Sequence, residues 1–199
     1  MKIFVSVDIE GIAGIAHWDE ALKGRPDHAG YDAVAMVGWH GAAADGGNPL
    51  SHTMTGRYAR IALNGTPLSE YRLHVRLAAE IGVPVVFLSG DAAVCAEARA
   101  TNPAVVTVET KTGAGASVDT ITPAEARDAI REGVARALGG DLGAHALPRE
   151  DGYRLDLSFD HHEKAYARSF YPGARLVDPV TITLESKSIF DIARALGFL

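Results

Sequence analysis

Short apolar runs that end in polar residues, with helical patterns between them, limit this chain's folding choices more than any other feature. One run is Lys2 to Gly11, with Asp8 and Glu10 at its end. A second is Asp32 to Gly38, leading into Trp39-His40-Gly41, and a third is Val83 to Leu88, leading into Ser89-Gly90-Asp91. Strands separated by helices in this way predict an α/β protein with a mainly parallel sheet flanked by helices. Ligands of such sheets collect outside the carboxyl ends of the strands, and Asp8, Glu10, His40 and Ser89-Gly90-Asp91 all have that address.

The intervening segments support this reading. Pro67 is expected to open a helix to about Ile81, ended by Gly82. A helix over 92–101 and a strand near Val105–Glu109 follow. Thr122-Pro123-Ala124-Glu125 is a capping box, so a helix is expected over 123–138. Arg57 to Asn64 reads as a short strand closed by the turn pair Asn64-Gly65. The last sixty residues differ. Strand-like Tyr153–Phe159 and Val180–Leu184, a helix near 161–169 and another after Ser186 predict a smaller C-terminal α+β portion over 141–199. Gly139 to Asp151 is the expected linker from a metal-binding α/β domain over 1–140.

The 199 residues carry a formal net charge of −6 and contain no basic block, which argues against nucleic acid as the main partner. The single cysteine, Cys95, lies in an alanine-rich helical stretch and reads as a small buried hydrophobe. No apolar run reaches bilayer-spanning length and no signal-peptide pattern opens the chain, so no membrane partner and a cytoplasmic location are expected.

Asp8 and Glu10, two residues apart on an extended segment, point to one face, where two like charges repel unless a cation or proton lies between them. They read as a metal site or as solvated turn carboxylates. His40, directly after an apolar run, is a hydrogen-bonded structural residue or joins the carboxylates around a divalent metal such as zinc. Glu70 starts an apolar stripe of Leu73, Leu77, Ala78 and Ile81, and is favoured there by a helix N-terminus or by a cation. His74, four residues on, either shares that ion or is merely half-buried. His52, between a flexible loop and a strand, is of a residue type suited to proton transfer at neutral pH, though its position alone gives it no privileged role. His161 and His162 read as solvated surface, and Lys111 as a surface lysine or a partner for an anionic substrate group.

In order along the chain, Ser6-Val7-Asp8-Ile9-Glu10-Gly11-Ile12-Ala13-Gly14, Gly38-Trp39-His40, Ser51-His52-Thr53, Asn64-Gly65 with Glu70, Gly82-Val83-Pro84 and Ser89-Gly90-Asp91 resemble the zinc-dependent D-aminopeptidases of the dipeptide-permease-operon type. The resemblance implies a peptidase with two zinc ions per chain, acting on short peptides with an N-terminal D-residue such as D-alanine, and a homo-oligomer. It implies Asp8 bridging both zincs, Glu10 and His40 completing the first position, Glu70 serving the second, and His52 as the catalytic histidine. The chain departs from the pattern after the first loop. Family members carry several dozen further residues there, including an Asn-Asp-Ser-His type motif whose histidine completes the second zinc site, whereas Pro26-Asp27-His28-Ala29-Gly30 runs almost directly into Asp32. The first zinc position is therefore expected to survive, with the second weak or empty and His17, His28 or His74 as substitute ligands. Two other readings stand beside this one. The first is a degenerate, non-catalytic member that binds peptide or metal. The second is a two-metal 3′–5′ exonuclease, which lacks support in the late His-to-Asp spacing and the positive channel it requires.

Overall fold

The computed structural model describes residues 1–7 and 30–199. Asp8, Glu10, His17 and His28 lie outside the described residues. The first sheet contains β1 (Ile3–Val7), β2 (Ala33–Trp39), β5 (Val85–Asp91), β6 (Val106–Ala114) and β7 (Ser117–Thr120), in the order β1-β2-β5-β6-β7. The first four strands are parallel, and β7 returns antiparallel along β6. The mainly parallel sheet is thus present, with α2 (Ala92–Thr101) and α3 (Pro123–Leu138) among its flanking helices.

All seven residues of β5 are buried, as expected of a central parallel strand covered on both faces. Ser89-Gly90-Asp91 therefore belongs to the strand, not to a loop beyond it. A polar end is tolerated inside because Asp91 is the N-cap of α2, where its Oδ1 accepts from the Val94 N–H at 2.8 Å. Gly90 is required by a close approach: a Cβ there would lie 2.1 Å from the Trp39 carbonyl oxygen of β2. The β2–β5 register shifts between Met36 and Trp39, and Gly38 takes a φ of 84° at that irregularity.

The second sheet is antiparallel and ordered β4-β3-β8-β10-β9, from β3 (Arg60–Leu63), β4 (Thr66–Pro67), β8 (Tyr153–Ser158), β9 (Arg175–Asp178) and β10 (Thr181–Ser186). Two of its strands come from residues 60–67, so the boundary between the sheets does not follow the division expected near residue 140. Asn64 and Gly65, with φ of 51° and 79°, make the expected hairpin turn. Pro67 does not open a helix. It pairs with Ala62 in edge strand β4, where a missing N–H is harmless, and α1 (Glu70–Ile81) starts after Ser69, whose hydroxyl accepts from the Arg72 N–H. Gly82 closes α1 in the left-handed conformation, as expected.

α1 is buried on two sides, not along one stripe. Leu73 faces the core of the antiparallel sheet with Leu155, Ile182 and the Ile189 and Ile192 side chains of α5 (Ile189–Leu196). Tyr71, Val75 and Ala78 face the parallel sheet with Val34, Met36 and Leu88. Ile81, expected on the buried stripe, is instead 37% exposed. Each fully buried aliphatic side chain contributes about 1.5–3 kcal/mol, so α1 holds the two sheets together. The α3 capping box is present as read, and Gly133 lets that helix approach Phe87 and Val108 too closely for a Cβ. A further α-helix, α4 (His162–Arg168), follows its N-cap His161, and both His161 and His162 are exposed. Among the described residues, no helix is long and apolar enough to cross a membrane.

Candidate metal centre

Three side chains predicted as site residues converge. His40, His52 and Glu70 each present a ligand atom, and these atoms all lie within 4.8 Å of one another. They come from three backbone segments. His40 is the first residue beyond β2, His52 lies in the loop before β3, and Glu70 is the first residue of α1. The His40 and His52 rings stack with centroids 4.5 Å apart.

The backbone selects which imidazole nitrogen faces the cluster. His40 Nδ1 lies 2.9 Å from the Gly41 carbonyl oxygen, and His52 Nδ1 lies 2.9 Å from that of Leu50. A carbonyl only accepts, so in both rings Nδ1 carries the hydrogen, and in the neutral imidazole the lone pair is then on Nε2. Fixing the tautomer of a ligating histidine through its other nitrogen is the usual outer-sphere arrangement of metal sites. His52 Nε2 is 3.5 Å from Glu70 Oε1. The same carboxylate oxygen accepts the Met54 N–H at 2.7 Å. Met54 is the centre of a three-residue turn, closed by Thr55 N–H donating to the Thr53 carbonyl at 2.7 Å, and its φ is 61°. A positive φ at a non-glycine residue costs on the order of 1–3 kcal/mol and persists where the surroundings enforce it. Here it aims an amide at a carboxylate of the cluster. Two imidazole nitrogens and a carboxylate fit a divalent first-row metal, zinc among them.

Asp91, also at this end of the sheet, is not a member of the cluster. Its side chain is 0% exposed, and its Oδ2 accepts from the Gly41 N–H at 3.0 Å and from Asn48 Nδ2 at 3.0 Å. It fixes the loop that carries His40. An aspartate before an alanine-rich helix signals the cap on α2 but not these contacts with Gly41 and Asn48. His74 also stays out of the cluster: its Nδ1 hydrogen-bonds the Glu70 backbone carbonyl at 2.7 Å, and its ring lies edge-on to Trp39. Lys111 pairs with Asp91 in the β5–β6 register, which places its backbone at the same end of the sheet. Asp8 and Glu10 follow Val7, which sits opposite Val37 in parallel β2, three residues before His40.

The sequence model of the D-aminopeptidase family matches this chain over residues 1–30 and 27–198. The chain belongs to that family. The two matched stretches meet at residues 27–30, where the D-aminopeptidase pattern was expected to lose an internal segment. A D-aminopeptidase of Bacillus subtilis (strain 168) is 24% identical over 194 residues, covering 96% of this chain and 67% of that relative. A solved structure, described as the Zn-dependent D-aminopeptidase DppA from Bacillus subtilis, a self-compartmentalizing protease, superposes with a TM-score of 0.77 at 24% identity. That superposition covers 84% of this chain and 62% of the other, and it establishes a shared fold. This D-aminopeptidase-family chain thus spans roughly two thirds of its relatives' length.

Proposed function

We propose that this chain is a zinc-dependent aminopeptidase that hydrolyses short peptides bearing an N-terminal D-residue, D-alanyl peptides in particular. The observation that carries the reading is the convergence of His40, His52 and Glu70 with both imidazole tautomers set by backbone carbonyls. His40 and Glu70, together with Asp8 and Glu10, would hold the metal. When bound, zinc supplies Lewis acidity that polarises a peptide carbonyl and acidifies water. His52 does the proton work. With Nδ1–H committed to the Leu50 carbonyl, its Nε2 is the atom that takes a proton, and the resulting imidazolium faces the Glu70 carboxylate 3.5 Å away. Lys111 would attract the C-terminal carboxylate of a short peptide. One tight zinc per chain is expected, and the relative's self-compartmentalizing assembly supports a homo-oligomer.

The test is hydrolysis of D-alanyl and L-alanyl p-nitroanilides by chelated and zinc-restored protein, alongside His52→Ala. The expected result is D-selective turnover, abolished by chelation, restored by zinc and reduced at least about hundredfold by the substitution. The competing reading is a non-catalytic, metal-binding member, favoured by the two-stretch family match that meets at residues 27–30. Zinc uptake without turnover of either substrate would select it.

A further inference from the structure

The His40, His52 and Glu70 side chains sit on separate segments, and one hydroxyl joins all three. Thr53 is 0% exposed. Its Oγ1 accepts the Ala43 N–H at 3.1 Å, three residues after His40, and donates to the Leu68 carbonyl at 2.7 Å, two residues before Glu70. Its own backbone directly follows His52. We propose that Thr53 is a positioning residue whose buried hydroxyl clamps together the three segments that carry His40, His52 and Glu70, so that the cluster is assembled before any metal arrives. The inference rests on reading the cluster as a metal site.

Packing alone does not call for a hydroxyl here, since valine has nearly the same shape and no polar atom to satisfy. A hydroxyl at full burial is retained without penalty only when it is paired, and this one uses its proton and a lone pair on backbone groups of two different segments. The residue after it continues the arrangement, because the Met54 N–H is directed at Glu70 Oε1 by the positive-φ turn. Thr53 and Met54 together therefore govern the spacing of the segments and the orientation of the carboxylate. Ser69, beside Leu68, caps α1, so a displacement of Leu68 would be transmitted to the first turn of the helix and to Glu70.

The experiment combines zinc titration by chelator competition on wild type, Thr53→Val and Thr53→Ser with amide hydrogen exchange at Ala43 in the metal-free wild-type protein. Loss of an outer-sphere contact weakens metal affinity by about 10–100-fold, and this is the loss expected for Thr53→Val. Thr53→Ser keeps the hydroxyl and is expected to bind within about threefold of wild type, well under that range. The Ala43 amide is expected to be protected without metal, exchanging at least about tenfold more slowly than an unstructured amide. Wild-type affinity in a folded Thr53→Val, or a loss in Thr53→Ser equal to that in Thr53→Val, overturns the clamp. So does unprotected exchange at Ala43, which decides the matter even if Thr53→Val fails to fold. A wild-type protein that takes up no zinc defeats the metal reading separately; the clamp is then judged on the Ala43 amide alone.

Discussion

Replacing Asp91 with asparagine changes almost no volume and should nevertheless be costly. The carboxylate uses both oxygens: Oδ1 accepts Val94 N–H at 2.8 Å, while Oδ2 accepts Gly41 N–H and Asn48 Nδ2, each at 3.0 Å. An asparagine that keeps the helix cap turns its own NH₂ toward those last two donors. The Asn48 amide cannot rotate to help without loss, because its Oδ1 accepts the Leu50 N–H at 3.0 Å. Two donors are left unsatisfied in a buried site, at ~1–3 kcal/mol each, so Asp91→Asn should cost ~2–6 kcal/mol. At ~2–4 °C per kcal/mol for a chain of this length, Tm should fall by at least about 4 °C. Differential scanning calorimetry with urea unfolding measures both quantities. Because Gly41 also supplies the carbonyl that holds His40 Nδ1, zinc affinity should fall in the same variant. A Tm within about 1 °C of wild type would refute the assignment of Asp91 as the anchor of this loop, since even the smallest cost above exceeds that shift.

Gly90→Ala places a methyl group 2.1 Å from the Trp39 carbonyl, so it must separate β2 from β5. The cost is expected at or beyond the upper end of the ~1–3 kcal/mol of ordinary overpacking, and circular dichroism with thermal melting will register it as a large loss of stability. Burial pushes the Cys95 thiol from 9.0 up to about 12, with Glu109 adding to the effect. The folded state thus holds its proton longer than the unfolded chain. This contribution to stability is intact below pH 9 and declines as pH rises toward 12. Urea midpoints across that range should fall more for wild type than for Cys95→Ala, and the native thiol should resist Ellman's reagent at neutral pH until the protein is unfolded.

The parts of the fold that were legible in the sequence are those with local causes. The continuous apolar run into Trp39-His40-Gly41 identified a buried parallel strand, and the strand-end rule then located His40. The Thr122 capping box and Gly82 marked helix ends through groups that satisfy their own turn. The start of α1 was misread because Pro67 suits both a first helical turn and an edge strand, and pairing with Ala62 decides between them. β7 and β9 are not legible in the sequence because every residue in them is exposed and no apolar alternation marks them. β3 belongs to the C-terminal sheet through pairing with Tyr153–Ser158, some ninety residues away in the chain, and β4 joins it through β3. Within the site, His52 and Glu70 were found through family resemblance more than through pattern. The Thr53 clamp and the turn at Met54 have no sequence signal, because a non-glycine residue at φ 61° is imposed by its surroundings and not by its own preference.

The account stands on joint ligation of one cation by side chains from distant segments. Its most direct test is equilibrium zinc titration of the purified protein against a chelator of known affinity, repeated on His40→Ala and Glu70→Gln. One tight equivalent per chain is predicted for wild type, weakened by at least about tenfold in each variant while the fold is kept. A wild-type protein that binds no zinc, or variants that bind it as wild type does, would contradict the account.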